Sequence, residues 1–478
     1  MVASISARQI ATLVQDGSHD PVPGYQRLAD AIRMATMDGR LQLGHRLPSE
    51  RALATRLGIS RTTVTAAYDR LREVGFAESR QGSGTFTATP APAGTTGRQA
   101  APGMWAPAAR SPYLEWSHAA PNAPIPHLVQ AYERALPRLA HHVGGHGYEA
   151  FGLPDLRAAI ASTYTARGVA TTPEQILVTP GAQAAHMIIL ATLSRPGQAV
   201  LAEHPSYPHA LDAFARHRLA LTTLDVHDGW DIAEWRRAAR SERPQFAYLI
   251  PDFQNPTGQV MPEQARADLT AALLDTRVVI DEALTWMDLD AVSPLPMASV
   301  APGAICVGSI SKVGWGGIRC GWIRADPALI SRFAGYRAAW DAGVPVLEQL
   351  VTIELLAELP ALQEHRIREL RVGRDFLADL LRSELPAVRF RKPPGGLSLW
   401  VDVGGPVATQ LAVALLRRDV RVTPGSRFAA PGWAGALERR VRLPYTLPAA
   451  DLARGVTALK AALSDESVAH PTAEVGFA

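Results

Sequence analysis

Cysteine is nearly absent: Cys306 and Cys320 are the two in 478 residues. That excludes a disulfide framework and fits a reducing compartment. Lysine is almost as scarce, with Lys312, Lys392 and Lys460 the three among 48 basic residues, so arginine does nearly all the cationic work. No apolar run approaches the ~18 residues of a membrane span. The longest candidate, AAHMIILATL, is short and interrupted by a histidine, and MVASISARQIATL at the amino end lacks the long apolar region of a secretory leader. The expectation is a cytoplasmic protein with no membrane partner. The net charge of +3 excludes a global polyelectrolyte. All of the excess sits in residues 1–90, which hold eleven arginines, no lysine and eight acids, a hint of an anionic partner at that end.

What is present fills more than one core. A chain of 478 residues calls for two or three domains, and 47% hydrophobic against 19% charged residues excludes general disorder. Residues 88–112 are rich in Pro, Ala, Gly and Thr without helical or strand period, a linker signature. They separate a front module, 1–87, from a rear module, 113–465, with a polar tail over 466–478.

Residues 26–86 read as three helices and a hairpin. Leu28, Ile32 and Ala35 share one face of the first. Ser49 is placed to cap LPSERALATRLG, Gly58 to end it, and Ser60 to cap RTTVTAAYDRLREVG. Val64, Ala67, Tyr68, Leu71 and Val74 then form a buried stripe, leaving Arg61, Thr62 and Thr63 at the exposed amino end. A helix–turn–helix offers that end of its second helix to base edges, and arginine reads guanine bidentately. FAESRQGSGTFTA reads as a two-stranded wing, with Arg80 beside a Gly-Ser-Gly tip that admits close phosphate approach. An arginine-decorated accessory domain would share this composition. The run GHRLPSERALATRLGISRTTVTAAYDRLREVGFAESRQGSGTF, however, resembles the winged helix–turn–helix of GntR-type bacterial transcription regulators across residues 24–87. The resemblance implies contacts to double-stranded operator DNA by Arg46, Ser49, Arg51, Ser60, Arg61, Thr62, Thr63, Arg80 and Gly82, to bases or phosphates alike.

The rear module alternates helical patterns with short apolar runs: QILVTPGAQ, QAVLAEHPSY, FAYLIPDFQNPTG, RVVIDEAL and AICVGSISK. Such runs read as buried parallel strands with crossover helices, and ligands bind beyond their carboxyl ends. There, in GSISKVGWGGIRCGW, stands Lys312. A lysine amine condenses with an aldehyde to a Schiff base, which arginine cannot do. If the aldehyde is phosphorylated, Ser309, Ser311 and Arg319 supply anion binders in the same loop. Asp281 in RVVIDEAL suits a protonated pyridine nitrogen, which makes pyridoxal phosphate an electron sink; it equally suits a helix cap. Asn255 in PDFQNPTG can reach the phenolic oxygen of that cofactor, or merely turn the chain. Gly181, Ala182 and Gln183 offer backbone N–H groups to phosphate, and Tyr207 in HPSY is placed to stack on a ring or to fill core.

In this order the segments resemble a fold-type I, pyridoxal-phosphate-dependent aminotransferase over roughly residues 115–465. The resemblance implies an α/β fold: a large, mixed, mostly parallel sheet with helices on both faces (about 145–335) and a smaller C-terminal α+β subdomain (about 336–465). It implies that Arg442 in RRVRLPY grips a substrate carboxylate, with Arg439 and Arg440 competing for the role. It also implies that Tyr148 reaches the phosphate of a neighbouring subunit, hence a homodimer with shared sites. One departure stands out. Leu284 occupies a position where the family commonly has a tyrosine bonded to the cofactor oxygen, which removes one contribution to tuning the imine.

Reader, linker and aminotransferase-like body together resemble the MocR family of bacterial regulators. That implies a transcription regulator in which Lys312 holds pyridoxal 5′-phosphate as a Schiff base. An amino compound seated on Arg442, or the cofactor itself, would alter operator binding. Two other functions stay open: a working aminotransferase carrying a DNA-binding module, with freed Lys312 as general base, and a body that serves only as a dimerisation platform.

Overall fold

The computed structural model of the chain describes residues 4–15, 24–37, 41, 44–80, 83–88, 113–273, 276–430, 432–465 and 468. Gly82, the expected linker beyond its first residue, and the expected tail apart from Val468 lie outside the described residues.

The front module contains α1 (Ala7–Gln15), α2 (Gly24–Met37), α3 (Glu50–Leu57), α4 (Arg61–Glu73) and the antiparallel hairpin β1 (Ala77–Arg80) with β2 (Gly84–Thr87). Local chemistry sets its turn. The Ser49 hydroxyl accepts from the Ala52 N–H at the start of α3, and Gly58 closes α3 at φ 67°, where a side chain would be strained. Ser60 then accepts from Thr63 N–H and starts α4. Val64, Ala67, Tyr68 and Leu71 are buried as expected; Val74 is only half-buried, because it is the C-cap and leaves the stripe. The Tyr68 phenol donates to the Pro48 carbonyl at 2.9 Å and ties α4 to the chain before α3. Helix α1 was not legible from the sequence; Ile10, with Ala7 and Leu13 packed beside it, places it in the core of the head. That core is completed by Tyr113, Val413 and Leu416 from the rear module.

The rear module opens with β3 (Leu114–Glu115), α5 (Ile125–Leu139) and α6 (Pro154–Ala166). Alternating units follow: β4 (Ile176–Thr179), α7 (Ala182–Leu193), β5 (Ala199–His204), α8 (Pro208–Arg216), β6 (Ala220–Asp225), α9 (Ile232–Glu242), β7 (Phe246–Leu249), α10 (Glu263–Ala272) and β8 (Arg277–Asp281). β9 (Ile305–Ser309), β10 (Gly321–Arg324) and α11 (Pro327–Arg337) complete this part. The seven strands order as β4-β10-β9-β8-β7-β5-β6, parallel from β9 to β6. β10 runs antiparallel between β4 and β9. Leu177 faces one apolar cluster while Ile176 and Val178 face another, so both faces are covered, as the unbroken apolar runs require. Five of these strands were legible. β6, ALTTLD, is a half-exposed edge, and β10 is a four-residue strand after a glycine-rich loop.

The smaller part follows α12 (Val346–Ala357) and α13 (Leu359–Glu384). It comprises β11 (Ser398–Asp402), α14 (Ala408–Leu416), β12 (Val420–Arg421), β13 (Thr423–Pro424), β14 (Arg440–Pro444) and α15 (Ala449–Leu463). β11, β14 and β13 form an antiparallel sheet, and β12 pairs in parallel with β3 from the start of the module.

Candidate functional site

The carboxyl ends of the parallel strands converge on Asp281, the last residue of β8. Its Oδ2 accepts from the Tyr248 hydroxyl at 2.7 Å and its Oδ1 from Ala283 N–H at 2.9 Å. His186 of α7 brings Nε2 to 3.4 Å from Oδ2, and its ring meets Tyr248 edge-on. Burial holds the His186 imidazole below its usual range against the opposing pull of Asp281, so the ring is neutral at pH 7. Burial, then Asp281, push the Tyr248 phenol well up, so it remains a donor. Sequence reasoning missed both. The signals were present: a tyrosine on a fully buried strand needs a hydroxyl partner, and a histidine interrupts an otherwise apolar helix.

Lys312 lies half-buried in the loop after β9, and its ammonium donates to the Ala119 carbonyl at 2.9 Å. Burial, then Arg442 and Arg319, bring the amine down to about 8, with Asp281 opposing. An ordinary lysine titrates at ~10.4, and the neutral amine is the nucleophile. The rate at which the cofactor-free protein captures pyridoxal 5′-phosphate should therefore rise with pH and level off just above 8. A stopped-flow pH profile still climbing beyond ~9.5, near the range of an ordinary lysine, would contradict this.

The loop gathers the hydroxyls and the guanidinium expected to suit an anion. Ser309 is buried and braces the loop, accepting from Ser311 N–H at 3.1 Å and donating to the Cys320 carbonyl at 3.1 Å. The Ser311 hydroxyl lies 2.7 Å from that of Ser309 on the more open side. Arg319, at φ 54°, donates to the Pro180 carbonyl at 2.9 Å. Its guanidinium lies against Gly181, where a Cβ would stand 2.8 Å from Nη2. Gly321 is required in turn: a Cβ there would come within 2.6 Å of the Gly181 backbone. Gly181 caps α7 at φ 87°, so the amino end of that helix with Ala182 and Gln183 joins Ser311 and Arg319.

Arg442 approaches from β14 of the smaller sheet. It is buried, donates from Nη1 to Asn255 Oδ1 at 3.3 Å and from Nη2 to the Ser117 carbonyl at 2.5 Å, and lies 4.9 Å over the Phe428 ring. Among the described residues its Nε finds no partner. Burial lowers its pKa to about 10, so it stays a cation. Arg439 and Arg440 both pair with Asp402, at 3.5 and 3.7 Å, which leaves Arg442 as the one that reaches Asn255. Tyr207 caps α8, with its hydroxyl 3.5 Å from Gln183 Oε1 and its ring 6.5 Å from that of His186. Tyr148 points outward, 67% exposed, stacked on His146. Leu284 packs against the core, with no hydroxyl to offer.

These residues fit pyridoxal phosphate on three observations: a carboxylate at a strand end held by two donors, a helix-end cradle that a Cβ at Gly181 would fill, and an orphaned buried donor on Arg442. When bound, that group supplies an aldehyde for an amine and a ring that takes up electron density.

On the head, Arg46, Ser49, Arg51, Ser60, Arg61, Thr62 and Arg80 are exposed or partly so, and Thr63 is half-buried. Arg61 contacts Glu50 at 3.2 Å, Arg80 pairs with Glu78 at 2.6 Å, and Arg46 lies against Gly84 of the wing. Ser60 keeps its hydroxyl 2.7 Å from those of Thr62 and Thr63.

Residues 24–87 match the bacterial regulatory proteins of the gntR family, and residues 115–459 match aminotransferase class I and II. The HTH-type transcriptional regulator YisV of Bacillus subtilis, itself uncharacterized, is 27% identical over 93% of this chain and 96% of its own length. The probable rhizopine catabolism regulatory protein MocR of Rhizobium meliloti is 33% identical over 54% of this chain and 55% of its own. Among solved structures, the α-aminoadipate aminotransferase LysN of Thermus thermophilus, complexed with N-(5′-phosphopyridoxyl)-L-leucine, superposes with a TM-score of 0.68. It is 27% identical, covering 77% of this chain and 97% of that one. The chain belongs to the class I and II aminotransferase family and, with a GntR head in front of that body, has the MocR-type architecture.

Proposed function

We propose that the chain is a DNA-binding transcription regulator whose body senses an amino compound, or pyridoxal 5′-phosphate itself, at Lys312. Lys312 takes the aldehyde as a Schiff base and Asp281 holds the pyridine nitrogen. Asn255 takes the phenolic oxygen, and Ser311, Arg319 and the amino end of α7 hold the phosphate. Tyr207 covers the ring, and Arg442 takes the carboxylate of an amino effector. Arg46, Arg61 and Arg80, with the hydroxyls around them, face operator DNA.

The observation that carries this reading is the shared core of the head and body. Tyr113, Val413 and Leu416 of the body are buried among the residues of the head, so the reader is not an independent bead on a linker. The names of the relatives point the same way. Ile125, Val129 and Leu136 are spaced along one side of α5 and are 68%, 48% and 59% exposed. Together with the exposed Tyr148, such a stripe supports a homodimer. A cytoplasmic location accords with DNA as the partner and with two free cysteines.

A working aminotransferase is the second reading. An amine titrating near 8 is matched to proton transfer, while Leu284 withholds the phenol that would assist it. The test is to titrate the cofactor-loaded protein with amino compounds. Its visible band and its affinity for DNA upstream of its own gene are followed together. Both should move over the same concentration range. Steady keto-acid turnover at ordinary enzyme rates, with operator affinity unmoved, would favour the enzyme.

A further inference from the structure

One short stretch, residues 113–119, joins the head to the site, and its contacts serve both. Tyr113 belongs to the core of the head, beside Val413 and Leu416 of α14. Leu114 N–H donates to the Asp419 carbonyl at 2.7 Å and Trp116 N–H to the Arg421 carbonyl at 2.9 Å, the bonds that lay β3 along β12. Glu115 pairs with Arg421 at 3.2 Å, and the Arg421 guanidinium lies 5.0 Å over the Tyr113 ring. Next along the chain, the Ser117 carbonyl accepts from Arg442 at 2.5 Å and from the Thr423 hydroxyl at 3.2 Å. The Ala119 carbonyl accepts from Lys312 at 2.9 Å. The two side chains that would meet the effector are thus among those that hold this strap.

These bonds compete with a ligand. When the Lys312 amine condenses with an aldehyde, a carbon–nitrogen double bond forms, the aldehyde oxygen leaves as water, and the nitrogen keeps at most one proton. The ammonium donor to Ala119 is then gone. A carboxylate that takes two N–H groups of Arg442 together draws the guanidinium toward itself and so competes with the Ser117 carbonyl for its position. The head meets the same elements from the other side. Arg33 of α2 is buried, paired with Asp30 at 2.6 Å, and within electrostatic reach of Glu438 and Arg417. Glu438 accepts from Thr409 N–H at 2.9 Å at the start of α14, and α14 leads directly into Asp419–Arg421.

We propose that residues 113–119 are the coupling strap of the sensor: filling the site takes Lys312 and Arg442 away from the Ala119 and Ser117 carbonyls, β3 loosens from β12, and Tyr113 releases the head from α14. This rests on the function proposed above and names its route. Six peptide units in extended form span about 20 Å.

The test measures hydrogen exchange at the Leu114 and Trp116 amides and operator affinity by fluorescence anisotropy. The full chain is compared without ligand, with pyridoxal 5′-phosphate, whose aldehyde can take Lys312, and with N-(5′-phosphopyridoxyl)-L-leucine, which has no aldehyde for Lys312 but presents a carboxylate to Arg442. Exchange at both amides should rise about tenfold with either probe. Glu115→Ala and Tyr113→Ala should each retain the visible band. Each should shrink the ligand-induced change in operator affinity to under about twofold, from the ~5- to 150-fold usual for coupled sites. Two variants guard against one that disturbs the head itself. If the probes change operator affinity while both amides keep full protection, or if both variants keep the full response, the strap is wrong and the regulator reading survives. If probe and operator bind without affecting each other in the unaltered protein, the regulator reading falls and the strap with it.

Discussion

Lys312→Ala protein should show no visible imine band when mixed with pyridoxal 5′-phosphate, and its operator affinity should no longer respond to that compound. Lys312→Arg should behave the same way. A guanidinium keeps the charge beside Asp281 but does not condense with aldehydes, so the pair separates chemistry from electrostatics. Neither substitution should unfold the protein. The one hydrogen bond lost, to Ala119, is a charge-assisted bond of about 1.5–3 kcal/mol. Set against it is relief from holding an amine whose pKa burial has already lowered to about 8. A melting temperature near that of the parent, with the band absent, is the expected result. A band that persists in both variants would place the attachment elsewhere, and Lys392 and Lys460 are then the remaining lysines.

The second large effect belongs to Arg61. It stands first in α4, 73% exposed, with its guanidinium 3.2 Å from Glu50. An exposed ion pair of this kind holds ~0.2–1 kcal/mol, whereas a bidentate arginine–guanine contact discriminates by ~1–3 kcal/mol. A guanine contact of that kind would outweigh the ion pair with Glu50. Arg61→Ala should weaken specific operator binding by about tenfold to a hundredfold, with the visible band unchanged. The salt dependence sorts the contact further. A phosphate-bound arginine lowers the slope of log affinity against log salt by about 1 when removed, and a base-bound one changes sequence preference instead. Operator affinity that survives the substitution would mean that α4 is not the reading helix.

Much of this was legible in advance because the chemistry is local. Ser49, Gly58 and Ser60 set the turn of the head through bonds between near neighbours. Lys312, Ser309, Ser311 and Arg319 share one loop, and the apolar runs before Asp281, Asn255 and Gly181 announced strands with a site at their ends. The rest depended on partners far apart in the chain. Helix α1 stayed unread because its few apolar residues mean nothing until α2 and α3 are beside it. Ser309 was read as an anion binder from the sequence, and its bond to the Cys320 carbonyl at the end of the loop is visible only once the loop is folded.

The order and identity of the candidate site groups were therefore determined by the sequence itself, since a strand, its terminal loop and the following helix are contiguous and their spacing is chemical information. Tertiary structure decided which of three neighbouring arginines enters the site. β14 is the central strand of its sheet, with Arg442 opposite both Trp400 and Thr423, while Asp402 draws Arg439 and Arg440 aside. It also brought His186 and Tyr248 to Asp281 from separate elements, and laid residues 113–119 across the site. Periodicity along a chain reports which face of an element is apolar; which elements meet, and through which atoms, is settled only when the sheets are ordered and the faces packed.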